Sequence, residues 1–427
     1  MGSFLSQETG RDMFSGLPVE LLGYIISLLL PSDVANLRLM SKYFALLGRK
    51  GLFNGRLTLR IYRDDMLRLR GISECPWLAA CIQEIEIFVA DTDLYRFHEY
   101  NREVPEDILA ELKNAWTSAC MNGSGVFCHE ILFATAFSSF TNVKSVVMTS
   151  TKFPFEYLAR GDCLRPTWRY MVERDRDRDY SRRELNNFLY DRRTARFPSF
   201  VLSARAYLPP LTKLIFDTFP IEALVQTDLI SMKEGMKTTV LKEMIMLCRP
   251  LRHLHITFDG SYCGKHHDGP SIGRMIADFL GSLQHVRILE LAFPLGRFTA
   301  PGYIEKIFGV SLPCLQIFRL KRIRAPPDIL LSFLLRHKAT IKELRLSSTA
   351  LLFSKPSELK DFMTLLRDSL RLEKFEMFDW DPKEEMLWVE ERCQDPGEMS
   401  RRLEKYAKSE GPWPHGAGLS LAGARSL

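Results

Sequence analysis

A short apolar motif of the form Leu-x-x-Leu-x-Leu recurs along this chain and constrains its fold more than any other feature. Five copies are clear: Leu251-Leu254-Ile256, Val286-Leu289-Leu291, Leu315-Phe318-Leu320, Ile341-Leu344-Leu346 and Leu372-Phe375-Met377. Three weaker copies come earlier, at Ile82-Ile85-Ile87, Val143-Val146-Met148 and Leu211-Leu214-Phe216, with wider gaps between them. Successive side chains of a strand point to opposite faces, so the last two apolar residues of each copy share one face. A single strand of this kind cannot bury its apolar side alone, whereas stacked copies supply one another's core. Helical periodicity at 272–283, 327–336 and 357–370 provides the covering layer. Pro301, Pro326 and Pro356 stand near helix starts, where the missing proline N–H costs nothing. The expected fold class is therefore α/β: a solenoid over 75–385 with a parallel concave sheet and outer helices, carrying insertions around 95–205. Residues 386–427 are expected to be helical and then, in the Gly-, Pro- and Ser-rich stretch from Glu410, disordered.

Ahead of the repeats, Leu17-Pro18-Val19-Glu20-Leu21-Leu22 leads through Ile25, Leu29, Leu37 and Phe44 to Phe53. Pro18 suits a first helical position, so a helix is expected to start at Leu17. Pro31 is expected to stop it, Ser32 to cap a second helix with Asp33 in its first turn, and Ser41 to cap a third. The first helix carries Leu21, Leu22, Ile25, Ile26, Leu28 and Leu29, more than one apolar face. A unit of about forty residues is near the lower limit for independent folding, and its surplus apolar surface points to a protein partner.

The Leu-Pro start, the Ser-Asp restart and the run Leu37-Arg38-Leu39-Met40-Ser41-Lys42 together resemble an F-box, here over residues 13–55. With the repeats behind it and the phrase His337-Lys338-Ala339-Thr340-Ile341-Lys342-Glu343-Leu344, the chain is similar to fungal-type F-box proteins with irregular leucine-rich repeats. The clear copies are spaced by 26 to 35 residues, longer than the usual repeat of about 20–29. This resemblance implies a non-catalytic substrate-recognition subunit of a Skp-cullin-F-box type ubiquitin ligase. It implies a Skp-type adaptor, and through it a cullin and a RING protein, as partners. Leu17, Pro18, Leu21, Leu22, Ile25, Leu37, Met40, Tyr43 and Phe44 fall on the motif positions that contact the adaptor. The alternative is an interaction scaffold that binds the adaptor without ubiquitin transfer.

Composition narrows the remaining classes. The chain has 427 residues, 46% hydrophobic and 26% charged, as in ordinary globular proteins of two or three domains. Its longest apolar run, 21–30, is half of the ~20 residues a membrane helix needs, and no basic secretory start precedes it. A soluble intracellular chain is expected. Met1-Gly2-Ser3-Phe4-Leu5-Ser6 fits the minimal N-myristoylation pattern at Gly2, although one acyl chain anchors only marginally. Nine cysteines without a CxxC pair argue for reduced thiols rather than a disulfide framework or zinc knuckle. A net charge of +6 from scattered arginines does not compel nucleic-acid binding.

Three clusters invite chemistry. Cys128-His129-Glu130 lacks the second histidine of a zinc-protease helix, since Phe133 stands there. The loop 260–269 gathers Cys263, Lys265, His266, His267 and Asp268, but it is one residue short of a phosphate loop and has His266 in place of Ser or Thr. The Arg/Asp run at 173–183, continued by Arg192, Arg193 and Arg196, reads as a solvated face or a docking insert. No catalytic residue, metal site or cofactor is expected. Binding is expected instead from the residues between the inward-facing ones of each strand: His255, Glu290, Arg319, Arg345 and Glu376. Beyond them lie Thr257, Ala292, Lys321, Ser347 and Phe378. Arg319, Lys321 and Arg345 are expected to form a basic centre for an acidic or phosphorylated target segment. The competing reading is a strand face that is simply polar.

Overall fold

The structure, a computed structural model, describes residues 16–49, 55–59, 65–88, 104–123, 130–149, 152–153, 162, 164–169, 171, 193–220, 224, 229–230, 237–259, 269–293, 301–347, 350–351, 356–378 and 396–414. Among these described residues the repeats assemble into one sheet of nine strands. These are β1 (Arg56–Leu59), β2 (Glu84–Phe88), β3 (Ser145–Thr149), β4 (Lys213–Pro220), β5 (His253–Asp259), β6 (Ile288–Ala292), β7 (Ile317–Lys321), β8 (Glu343–Ser347) and β9 (Lys374–Phe378). Each pairs in parallel with the next, so spatial order follows chain order. Parallel neighbours need long crossovers, and the helices between the strands provide them. This is an α/β architecture compatible with the expected solenoid.

Register explains the motif. Leu57, Ile85, Val146, Leu214, Leu254, Leu289, Phe318, Leu344 and Phe375 stand side by side across the sheet. Every residue of the eight apolar copies is buried. A one-residue slip would turn all of these side chains to the opposite face, so the apolar pattern itself fixes the pairing. The backbone repeats as faithfully. Just before the strands, one carbonyl accepts two successive N–H groups of the next repeat, in a chain running through Gly55, Gln83, Lys144, Thr212, Arg252, Arg287, Gln316 and Lys342. Gly55 adopts a positive φ of 69° to present its carbonyl to Gln83 and Glu84, a conformation glycine tolerates best.

β1 was not expected, because Asn54 occupies the place where the other copies have an apolar residue. The sheet therefore begins at Arg56, earlier than the expected start at 75. The helices match their periodicity closely: Gly269–Gly281, Pro327–Arg336 and Pro356–Ser369. They cover the face of the inward leucines. Phe333 of the second lies 5.1 Å ring to ring from Phe318 on β7 and 5.4 Å from Phe308. Between the central repeats, Phe219, Phe258 and Phe293 continue the core, at 5.8 and 5.2 Å. A bulge between Phe216 and Phe219 brings Phe219 into register with Phe258.

The far end is closed by the chain itself. The helix Pro396–Ala407 packs against β9, and Leu403, Tyr406 and Ala407 join the common core. Trp413 stacks edge-on against Tyr406 at 5.1 Å. Residues 396–414 thus pack with the repeat domain, beyond its expected boundary at 385, and of the tail expected to be disordered from Glu410 the described part, 410–414, is held by Trp413 against Tyr406. The reason is Trp413, whose ring gives this otherwise Gly- and Pro-rich stretch a surface to bury.

At the other end stand three short helices, α1 (Val19–Leu28), α2 (Pro31–Met40) and α3 (Lys42–Leu47). Pro18 is the residue before α1 rather than its first, and Pro31 opens α2 rather than ending α1, so Ser32 lies inside the helix. Both shifts reflect proline's tolerance of either place at a helix start. Ser41 caps α3 as expected, its hydroxyl accepting the Phe44 N–H at 3.2 Å. The trio meets the first repeat at Trp77, over which the guanidinium groups of Arg49 and Arg38 lie at 4.5 and 6.0 Å. Arg38 also donates to the Ala45 carbonyl at 3.1 Å, tying α2 to α3.

Candidate functional site

Two surfaces stand out: the outer face of the trio and the open face of the sheet. In the trio, Leu22, Ile26, Val34 and Phe44 are buried and form its small interior. Leu21 is 52% exposed, Tyr24 65%, Leu28 69% and Met40 70%, and Val19, Ile25, Leu30, Leu39, Tyr43 and Leu46 are exposed with them. So many large apolar side chains in so short a segment mark an interaction surface. Among the residues expected to touch an adaptor, Pro18, Leu21, Ile25, Met40 and Tyr43 are exposed, and Leu17 and Leu37 are half-buried. Leu22 and Phe44 are corrected: at 1% and 4% exposure they pack inside the trio and offer a partner nothing. The helical repeat explains it, since Leu22 and Ile26 share one face while Leu21, Ile25 and Leu28 share another, about 110° around the helix.

The sheet's open face is a lattice of ion pairs. Register sets Glu290 beside Arg319, Arg319 beside Arg345, and Arg345 beside Glu376. Arg319 meets Glu290 at 2.7 Å and Glu343 at 4.0 Å, and Arg345 meets Glu376 at 2.9 Å. Lys374 adds a second cation to Glu376 at 2.7 Å. Burial raises the Glu290 carboxyl, but His253, His255 and Arg319 outweigh it and hold the group down at about 2. Glu376 is likewise held below its ordinary value, with Lys374 and Arg345 overcoming its desolvation. Arg319 and Arg345 are thus each matched by a carboxylate, and the expected basic centre is a compensated ladder with Lys321 exposed at its edge. Thr257 and Ala292, expected to face outward, are buried. The Thr257 hydroxyl lies 3.3 Å from the His255 ring, and the Ala292 methyl is too short to rise above its neighbour Lys321.

A second lattice, missed in the sequence because β1 was missed, lies over β1–β4. Arg56 reaches Glu86 at 2.7 Å and Glu84 at 3.3 Å, Lys213 reaches Glu84 at 3.3 Å, and Lys152 contacts Glu86. Glu84 is held below its ordinary value, because the Ser145 hydroxyl, Lys213 and Arg56 overcome its burial.

One buried histidine joins two repeats. His337 Nε2 accepts the Leu312 N–H at 2.8 Å, so Nδ1 carries the proton and donates to the Phe333 carbonyl at 2.7 Å. Burial depresses its pKa, and burial does the same to His255. A depressed histidine binds its proton more readily when unfolded, so its contribution is complete above the unfolded value of 6.5 and declines as pH falls below it. The urea midpoint is therefore expected to be lower at pH 5.5 than at 7.5, with a slope of at most about 1.4 kcal/mol per pH unit for each histidine. Glu290 adds nothing in that window, because its share is lost only between 4.5 and about 2. His337→Gln is expected to flatten the response; equal midpoints for the wild type at both pH values would refute the assignment.

Among the described residues, no group of three His, Cys, Asp or Glu is placed to hold a metal ion. Cys75, Cys81, Cys248 and Cys314 are free thiols. No described helix is long and apolar enough to cross a membrane. Gly2, Cys128, His129, the loop residues Cys263, Lys265, His266, His267 and Asp268, the Arg/Asp run at 173–183 and Arg192 lie outside the described residues, whereas Glu130 and Arg193 open helices. Against known proteins, the chain matches no family model and no curated sequence.

Proposed function

We propose that this protein is the substrate-recognition subunit of a Skp-cullin-F-box type ubiquitin ligase. It binds a Skp-type adaptor through the helical trio and a target protein through the open face of the sheet. It contributes no catalytic group of its own; by holding the target near the loaded enzyme it raises the effective concentration of the target's lysines. The observation that carries this reading is the outer face of α1–α3, where Leu21, Ile25, Leu28, Met40 and Tyr43 stand exposed beside a trio whose interior is already filled. A face of that composition belongs against another polypeptide. The cytoplasm or nucleus is the setting that fits such a partner.

The test is capture by purified Skp-type adaptor. Leu21→Asp combined with Ile25→Asp puts two carboxylates into the apolar contact and is expected to weaken capture at least about a hundredfold, or ~2.7 kcal/mol. Because both side chains are exposed in the free chain, the melting temperature is expected to stay put. Equal capture of variant and wild type would end this reading. Ubiquitin transfer to a captured target, once cullin and RING protein are added, separates the ligase subunit from a scaffold that merely holds the adaptor.

A further inference from the structure

We infer that the cleft over the first three strands is a recognition pocket for an extended peptide carrying an acidic side chain beside a large apolar one. The partner's identity as a ligase target rests on the function proposed above; the chemistry of the pocket does not. The cleft encloses about 240 Å³ and is floored by Phe88 and Phe153, which are 3% and 8% exposed. That is below the roughly 300–1,000 Å³ of a pocket for drug-sized ligands, and it suits one large side chain.

Its polar wall is unevenly charged. Arg56 Nη2 and Lys152 Nζ converge on the same oxygen, Oε1 of the buried Glu86, while its Oε2 accepts from Thr58 at 3.3 Å. Two cations on one oxygen repel each other, and a second anion set against their outer sides relieves that repulsion. Arg56 is fixed from behind by Glu84. Lys152, on the loop after β3 and with its side chain 54% exposed, is the cation able to turn toward a ligand. Asp217 is engaged by the Thr149 hydroxyl. In the ladder Arg345 and Lys374 also share one carboxylate, but on separate oxygens, Oε2 and Oε1 of Glu376, and Arg319 reaches both Glu290 and Glu343. Acidic-segment recognition, expected in the sequence at Arg319, Lys321 and Arg345, is thereby moved to Arg56 and Lys152.

The experiment is fluorescence anisotropy on the full chain with a labelled peptide, Gly-Ser-Glu-Phe-Ser-Gly-Gly, and two relatives in which Gln replaces Glu or Ala replaces Phe. Saturable binding of the parent peptide is expected, at least fivefold weaker for each relative and for the Lys152→Gln variant. Lys152→Arg is expected to retain binding, and Phe153→Ala to erase the preference for Phe over Ala. No saturable binding by wild type up to millimolar peptide, equal binding of the Glu and Gln peptides, or undiminished binding by Lys152→Gln would each overturn the pocket. Adaptor capture, measured on the same samples, separates the two proposals. Intact capture with absent peptide binding removes the pocket alone, and intact peptide binding with absent capture removes the ligase reading alone.

Discussion

Replacing Phe333 by alanine is expected to lower the free energy of unfolding by about 3–5 kcal/mol, the range for deleting a buried aromatic ring. Phe333 is 1% exposed and joins two repeats. Its ring touches Phe318 on β7, Phe308 on the preceding helix and the His337 imidazole at 4.4 Å. His337 is hydrogen-bonded both to the Phe333 carbonyl and to the Leu312 N–H, so the cavity opens beside a polar junction as well as an apolar one. Collapse around the missing ring would have to move that imidazole, which argues for the upper part of the range. Phe333→Leu keeps much of the volume and is expected to lose markedly less. Urea unfolding of the three proteins, followed by far-ultraviolet circular dichroism, checks both values. Equal midpoints for wild type and Phe333→Ala would show that this cluster does not join the repeats.

Much of this architecture was legible in the residues, and for a physical reason. Copies such as Leu254-x-Ile256 and Leu344-x-Leu346 encode which face is buried at every strand, and a parallel sheet with uniform register follows from aligning them. The same alignment already sets Glu290 against Arg319 and Arg345 against Glu376. The compensated ladder was therefore implicit, although reading single strands made Arg319 and Arg345 look like a basic centre. What stayed hidden depends on exceptions to the pattern. Asn54 disguises β1, and with it the position of Arg56 opposite Glu84 and within reach of Glu86. Lys152 and Phe153 belong to a loop, whose place in space no periodicity fixes. In the trio, periodicity marked an excess of leucine and isoleucine. Only the packed helices separate Leu22, turned inward, from Leu21, turned out.

Ending the chain at residue 395 is expected to abolish soluble, cooperatively folded protein. A stacked array needs a cover on its last repeat, because that repeat has no successor to bury its apolar side. Among the described residues β9 is the last strand of the sheet, and removing Pro396–Ala407, which packs against it, would bare the inner faces of Phe375 and Met377 beside its outer edge. Unpaired strand edges beside apolar surface drive association. Tyr406→Ala is the milder companion. It removes a ring that is 4% exposed, its 2.8 Å hydrogen bond with the Thr364 hydroxyl, the Arg367 guanidinium stacked on it at 4.8 Å and the edge-on contact with Trp413. A loss of about 3 kcal/mol is expected, concentrated at the end of the array. Amide hydrogen exchange resolves it by position: protection is expected to fall in β9 and the helix Pro356–Ser369 while β5 and β6 keep theirs. Exchange that rises equally in all nine strands would mean the sheet opens as one unit, and a soluble, monomeric chain ending at 395 would show that the last helix is not the cover.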